Sequence, residues 1–212
     1  MNHYLLPLFP LSLVVCPGGL LPLRIFEARY LDMVKSCMKN KSSFAVIAIL
    51  PEGNADADDN APQANYSLAK TGTVMEIIDV DVTTVGMMMI RCVGQHRIKV
   101  NSLTQQANGL VVGNVSNIAN DIEMPIPKDL ETAGSSLKKL IVTLPSQGVL
   151  PTDIPVIEPY KFEDAAWVAN RWLELLDMPI IQKQRLMQLD SPIVRLELIH
   201  DILIAEPPKL FN

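Results

Sequence analysis

The residues of this chain that could do chemistry form a short set. Thr132 is followed by Lys138 and Lys139, Cys92 precedes His96, and Asp56, Asp58 and Asn60 alternate in a polar stretch. A hydroxyl–lysine dyad works when a desolvated lysine of lowered pKa takes the hydroxyl proton, and it needs a second segment to bring that lysine in. Here both lysines fall on the helix that begins near Thr132 and point along it. Asp129 then reads as the N-cap of that helix. Cys92 shares a strand face with Met88 and Ile90, which makes it a small buried hydrophobe rather than a nucleophile for His96. His3 is terminal, His96 follows a Gly-Gln bend between two strands, and His200 lies on the polar arc of the last helix near Glu197. Histidines this far apart give no metal-ligand spacing. The acidic stretch fails as a calcium loop, with Ala61 where glycine is needed and Ser67 where a bidentate glutamate is needed. Gly18-Gly19 and Gly109/Gly113 lack the lysine of a phosphate-cradling loop. No catalytic residue, no cofactor and no metal is expected.

The elements that carry these residues change character once. Leu5–Tyr30 has no charge before Arg24 but holds Pro7, Pro10, Pro17 and Pro22. A membrane-spanning helix needs about 20 apolar residues that can stay helical, and prolines break interior turns. A signal peptide would want a basic start and a small-residue cleavage site. The run therefore reads as short buried strands separated by Pro-Gly turns. Phe44–Leu50, Thr73–Val82, Met87–Val93, His96–Leu103 and Leu110–Val115 are apolar runs punctuated by glycine, the pattern of an antiparallel barrel or sandwich. One helix interrupts them at Phe26–Asn40, with Tyr30, Val34, Cys37 and Met38 on one face. From about Asp129 the period is helical: Leu137, Leu140, Ile141 and Leu144 recur until Pro145, and Glu163–Leu176 carries Val168, Trp172 and Leu175. Ser191–Ile204 opens on an N-cap serine and a proline at the first helical position. Strands followed by helices predict an α+β fold, with a boundary near Ser116–Pro127.

Composition bounds the function classes. With 49% hydrophobic and 19% charged residues, the 212-residue chain can bury a core. A net charge of −5 and 5% aromatics do not favour a nucleic-acid partner. Cys16, Cys37 and Cys92 form no close pair, which fits reduced thiols in a cytoplasm.

Several segments resemble one family. LPLFPLSLVVCPGGLLPLRIFEARY, then a short helix and FAVIAI, is similar to the start of the Lon protease N-terminal domain, in its stand-alone bacterial form. Gly72–Val80 with Met87–Val100 resembles that family's central strands, and Phe162–Leu203 resembles its helical tail. The resemblance implies a PUA-like β-barrel with one inserted helix over residues 1–118 and a helical subdomain over 119–212. It also implies a non-catalytic module that binds polypeptide. Pro127–Gly134 superficially resembles the Lon nucleophile segment, but Thr132 replaces its serine, and Leu130 and Glu131 replace a Gly-Pro.

A polypeptide could add to a sheet edge as a strand or lay side chains on an apolar groove. Candidate contacts for the second mode are Arg24, Phe26, Arg29 and Tyr30 at a strand-to-helix junction, with Met87 and Met89, whose thioethers suit adaptable surfaces. The bland alternative has Phe26 and Tyr30 anchoring the helix while Arg24, Glu27 and Arg29 pair locally. Met88 faces opposite Met87 and Met89, so one of these faces is core. Trp167 and Trp172 read as structural. The expected partners are unfolded or client polypeptides and an ATP-dependent protease, with no membrane and no nucleic acid. The rivals are a PUA-like RNA-binding protein, which needs a basic stripe with stacking aromatics, and a hydrolase with an unrecognised site.

Overall fold

Prolines are tolerated in strands only where their missing donor faces no partner, and the opening run obeys this. β1 (His3–Leu11) pairs antiparallel with β7 (Val111–Asn117) from His3 to Leu8, and parallel with β3 (Phe44–Leu50) from Leu8 to Leu11. Pro7 lies where only β7 is paired, and Pro10 where only β3 is. Pro22 lies in β2 (Leu20–Ile25), which pairs with β6 (Met87–Gln105) alone among the described residues. The computed structural model describes residues 3–51, 57–58, 67–149, 154 and 156–206, with backbone only at 57, 58, 83, 84 and 147. The calcium-loop reading of Asp56, Asp58 and Asn60 falls outside the described side chains.

The chain divides into two units, Met1–Asn120 and Asp121–Asn212. In the first, β5 (Ser67–Thr84) pairs with β3, with β6 and with the two-residue β4 (Ala57–Asp58). Pairings β1–β3–β5–β6–β7–β1 close a five-strand ring, with β2 and β4 appended. Every pair is antiparallel except β1–β3, whose connection passes through β2 and α1 (Ala28–Asn40). Tyr30, Met33, Val34 and Cys37 of α1 join Phe9, Phe44, Val46, Ile90 and Cys92 in one core cluster. Tyr30 stacks on Phe9 at 4.1 Å between centroids. Met33, not Met38, completes that helix face, since Met38 is 51% exposed.

β6 bulges where Gln95 and His96 face Val74, but it is not broken between Met87–Val93 and His96–Leu103 and continues through Gly94. A Cβ there would collide with the Cys16 carbonyl oxygen, so glycine serves close approach rather than a bend. Pro17 and Gly18 (φ 76°) make a type II turn closed by Gly19 N–H donating to Cys16 O at 3.0 Å. Gly94 N–H donates to Gly19 O at 2.9 Å, and Gly18 N–H to Gly94 O at 2.7 Å.

The second unit holds α2 (Glu131–Thr143), α3 (Ala165–Leu175), α4 (Ile180–Gln188) and α5 (Pro192–Ala205). Ser191 caps α5 through the Val194 N–H, and Asp164 caps α3 through Ala166 and Trp167. Asp129 does not cap α2: a 3-10 turn at Lys128–Leu130 precedes that helix, and Leu130 occupies its N-cap. Trp172 is fully buried and donates from Nε1 to Ala133 O at 2.9 Å, as a buried indole must find an acceptor. Arg195, 1% exposed, donates to Asp121 (2.6 Å), Asn170 (2.7 Å) and the carbonyls of Leu186 (3.1 Å) and Leu189 (2.5 Å).

Buried and exposed ion pairs should differ in what their loss costs. Arg195→Met keeps the stem but strands a buried Asp121, so urea denaturation should show a loss of about 3 kcal/mol. Lys161→Met, which removes an exposed ion pair with Glu123, should cost about 0.5 kcal/mol or less. In the first unit, burial and then the neighbouring Cys37 push the Cys92 thiol from 9.0 up to about 12. Its folded pKa exceeds its unfolded one, so its stability contribution is whole below about pH 9 and is lost as pH rises towards 12. Iodoacetamide at pH 8.5 should spare Cys92 in the native chain and label it in urea, read by mass spectrometry.

Candidate functional site

Strands β2, β6 and β5 lie side by side, so their registers build rows of side chains. Leu21, Cys92 and Ile77 form one row, and Leu23, Ile90 and Val80 the next, both turned to the core. The intervening rows, Pro22–Arg91–Asp79 and Arg24–Met89–Asp81, therefore face away from it. A register shift between Ile77 and Asp79 makes this possible. Strict alternation from Ile77 would turn Asp79 inward and Val80 outward; the extra residue, Ile78, reverses both and is itself 44% exposed.

Four of the six expected contact residues meet on this outer face. Arg24 donates from Nε to Met87 Sδ and lies opposite Met89, which is 37% exposed. Phe26 lies one residue beyond Ile25, whose partner is Met88, and is 68% exposed. Phe26 is thus no helix anchor: burying Ile25 at the end of β2 leaves the next side chain outward. Met88 packs against the core while Met87 and Met89 do not, as strand alternation requires. The other two residues belong to the frame. Tyr30 is buried against Phe9, and Arg29 bonds Glu27 (2.5 Å) and Gly109 O (3.2 Å) while lying over the Tyr30 ring. Sequence reasoning missed Ile78, Val82 and Val85, which are 44%, 62% and 106% exposed at or near the β5–β6 turn. The available signal was Val82 near the end of β5 and Val85 in the turn itself, beside Gly86 (φ 85°).

The residues weighed for catalysis are scattered. Cys92 is fully buried, and His96 contacts Asn117 Oδ1 through Nε2 at 3.1 Å from within β6. Thr132 does meet a base, but not a lysine: its Oγ1 is 2.8 Å from His200 Nε2. Neither residue lines either of two clefts among the described residues of the second unit, one of about 460 Å³ walled by Met124, Pro125, Lys138, Tyr160 and Phe162. Among the described residues, no group of three or more His, Cys, Asp or Glu is placed to hold a metal. No helix among them is long and apolar enough to cross a membrane. The outer face presents an exposed aromatic ring, thioethers and charges of both signs on one side of the sheet.

The comparisons with known proteins give a family and a fold. The family model of the ATP-dependent protease La (LON) substrate-binding domain matches residues 5–205. A crystal structure of a Lon N-terminal domain protein from Xanthomonas campestris is 33% identical, with a TM-score of 0.72 over 97% of this chain and 99% of that one. The N-terminal domain of Mycobacterium avium complex Lon protease shares the fold at 13% identity and a TM-score of 0.61, over 96% of this chain and 100% of that one. Protein cereblon of Danio rerio is 28% identical over 109 residues, half of this chain, and the chain spans only 23% of that relative. The opening run, the central strands and the helical tail thus resemble what they match, and the chain belongs to the LON substrate-binding domain family.

Proposed function

We propose that this chain is a non-catalytic recognition module that binds unfolded or client polypeptides on the outer face of β2, β6 and β5. It acts in the cytoplasm and supplies substrates in trans to an ATP-dependent protease. Recognition belongs to the β-rich part, residues 1–118, with the helical part, residues 119–212, as a second subdomain. The observation that carries this reading is Phe26. Its ring is 68% exposed and follows buried Ile25, the partner of Met88, next to the row where Arg24 meets Met87 and Met89. Large apolar side chains grouped on a surface mark interaction sites. The family's description as a substrate-binding domain supports the same reading, and so does the likeness to a Lon N-terminal domain protein along nearly its whole length.

The test uses a permanently unfolded probe, reduced and carboxymethylated α-lactalbumin, carrying a fluorophore. Phe26→Ser with Met89→Ser should weaken its binding about tenfold, since a few central contacts carry most binding energy. The melting temperature should move by no more than about 2 °C, because exposed positions contribute little to stability. Casein incubated with the protein, with and without ATP, should stay intact. Unchanged affinity in the double variant would remove the site, and tighter binding of structured RNA than of the unfolded probe would favour the rival reading.

A further inference from the structure

The open edge of β2 is the obvious place for a bound polypeptide, and its backbone argues against that use. Gly94 N–H donates to Gly19 O while Gly94 O accepts from Gly18 N–H, a bulge that turns the Gly19 carbonyl towards β6 and sets the phase of the ladder that follows. Hydrogen-bonded pairs alternate with non-bonded ones along an antiparallel ladder. Leu21, Leu23 and Ile25 therefore bond to β6, while Leu20, Pro22 and Arg24 turn their backbone groups to the open side. The middle one of these three is proline. It offers no N–H there, and its ring stands where an added strand would approach, a device that keeps strand edges from pairing.

The outer face beside that edge is accessible. Phe26 and Met89 are exposed on it, with Val82 and Val85 at the turn beyond. Its charges are uneven. Glu76, Asp79 and Asp81 are exposed along β5, and Asp79 and Asp81 make no ion pair among the described residues. Of the two arginines on this face, Arg24 is held by Met87 and Arg91 is half-buried. A segment crossing from Phe26 and Met89 towards β5 therefore meets apolar surface first and carboxylates second.

We propose that this face captures polypeptide segments through their side chains and not as an added strand. The segments it takes carry a large apolar residue followed by a basic one. The inference rests on the recognition function proposed above and names its mode and substrate class. Pro22 is the residue that enforces the mode, and Asp79 and Asp81 set the charge preference.

Three fluorescent peptides test it against the full chain by anisotropy. The first is Ser-Gly-Phe-Lys-Ser-Phe-Lys-Ser-Gly, the second has Glu in place of both Lys, and the third is the first with alternate backbone nitrogens methylated. The Lys peptide should bind about tenfold tighter than the Glu peptide, because juxtaposed like charges oppose association. N-methylation should change its affinity by less than about twofold, since it abolishes only the donors that strand addition requires. Pro22→Val reopens the edge, and in that variant the methylated peptide should fall behind the unmethylated one. Loss of binding on methylation in the wild-type chain overturns the mode, and so does a Pro22→Val chain that remains indifferent to it. Equal binding of the Lys and Glu peptides overturns the charge preference. If carboxymethylated α-lactalbumin binds and none of the peptides does, this inference fails alone. If nothing binds, the recognition function fails with it.

Discussion

The first unit depends on the close passage of β6 over the Cys16–Gly19 turn. Two backbone hydrogen bonds join Gly94 to Gly18 and Gly19, and Thr73 Oγ1 donates to Val15 O at 2.6 Å within the same contact. Only glycine at position 94 lets the Cys16 carbonyl come so near. This contact sets the register of β2 on β6, and the register decides which β2 residues turn inward. Leu21, Leu23 and Ile25 pack on the core, so Arg24 and Phe26 emerge on the other side. The candidate site is in that sense a consequence of backbone geometry some way from it. A slip of one residue at the turn would bury Arg24 and invert the whole face.

The same chain of cause explains what was legible in the sequence. Wholly apolar Phe44–Leu50 is a strand with those bounds because both of its faces are nearly all buried, so a continuous apolar run marks it. The last helix was legible from Ser191 and Pro192, whose preferences are local. Gly94 was not. Glycine punctuates strands and also permits close approach, and only the carbonyl of a residue 78 positions earlier shows which use applies. Met38 and Met33 are equally apolar, and the choice between them rests on the angle at which α1 meets the ring. The short α4, Ile180–Gln188, escaped notice because its Lys183, Gln184 and Arg185 leave little apolar period, although Gln184 is buried.

The candidate site was half legible for a related reason. Residue type placed Arg24, Phe26, Met87 and Met89 near a strand junction, but exposure is a property of the assembled sheet. Aromatics at i and i+4 ordinarily share a helix face. Here the helix starts at Ala28, so Phe26 still obeys the strand's alternation while Tyr30 obeys the helix's period. Ile78 was harder still, since it is outward only because β5 carries an extra residue opposite β6. The Thr132–His200 contact joins residues 68 apart through helix packing, and no spacing in the chain announces it.

An adaptable binding face needs fixed parts and yielding parts in the right order. Phe26 has a fixed backbone, between Ile25 in the sheet and the helix whose Tyr30 stacks on Phe9, so the proposed binding orders only its ring. Met87 and Met89 yield, because unbranched thioethers can repack around differing side chains. Broad recognition follows from such a pairing, since specificity comes as much from what a surface refuses as from what it attracts. In the mode proposed here the refusals are the proline on the β2 edge, which offers no N–H to a passing strand, and the carboxylates of β5, which oppose acidic segments. In the proposed mode, such a surface would hold unfolded chains by their side chains without becoming a template for their aggregation.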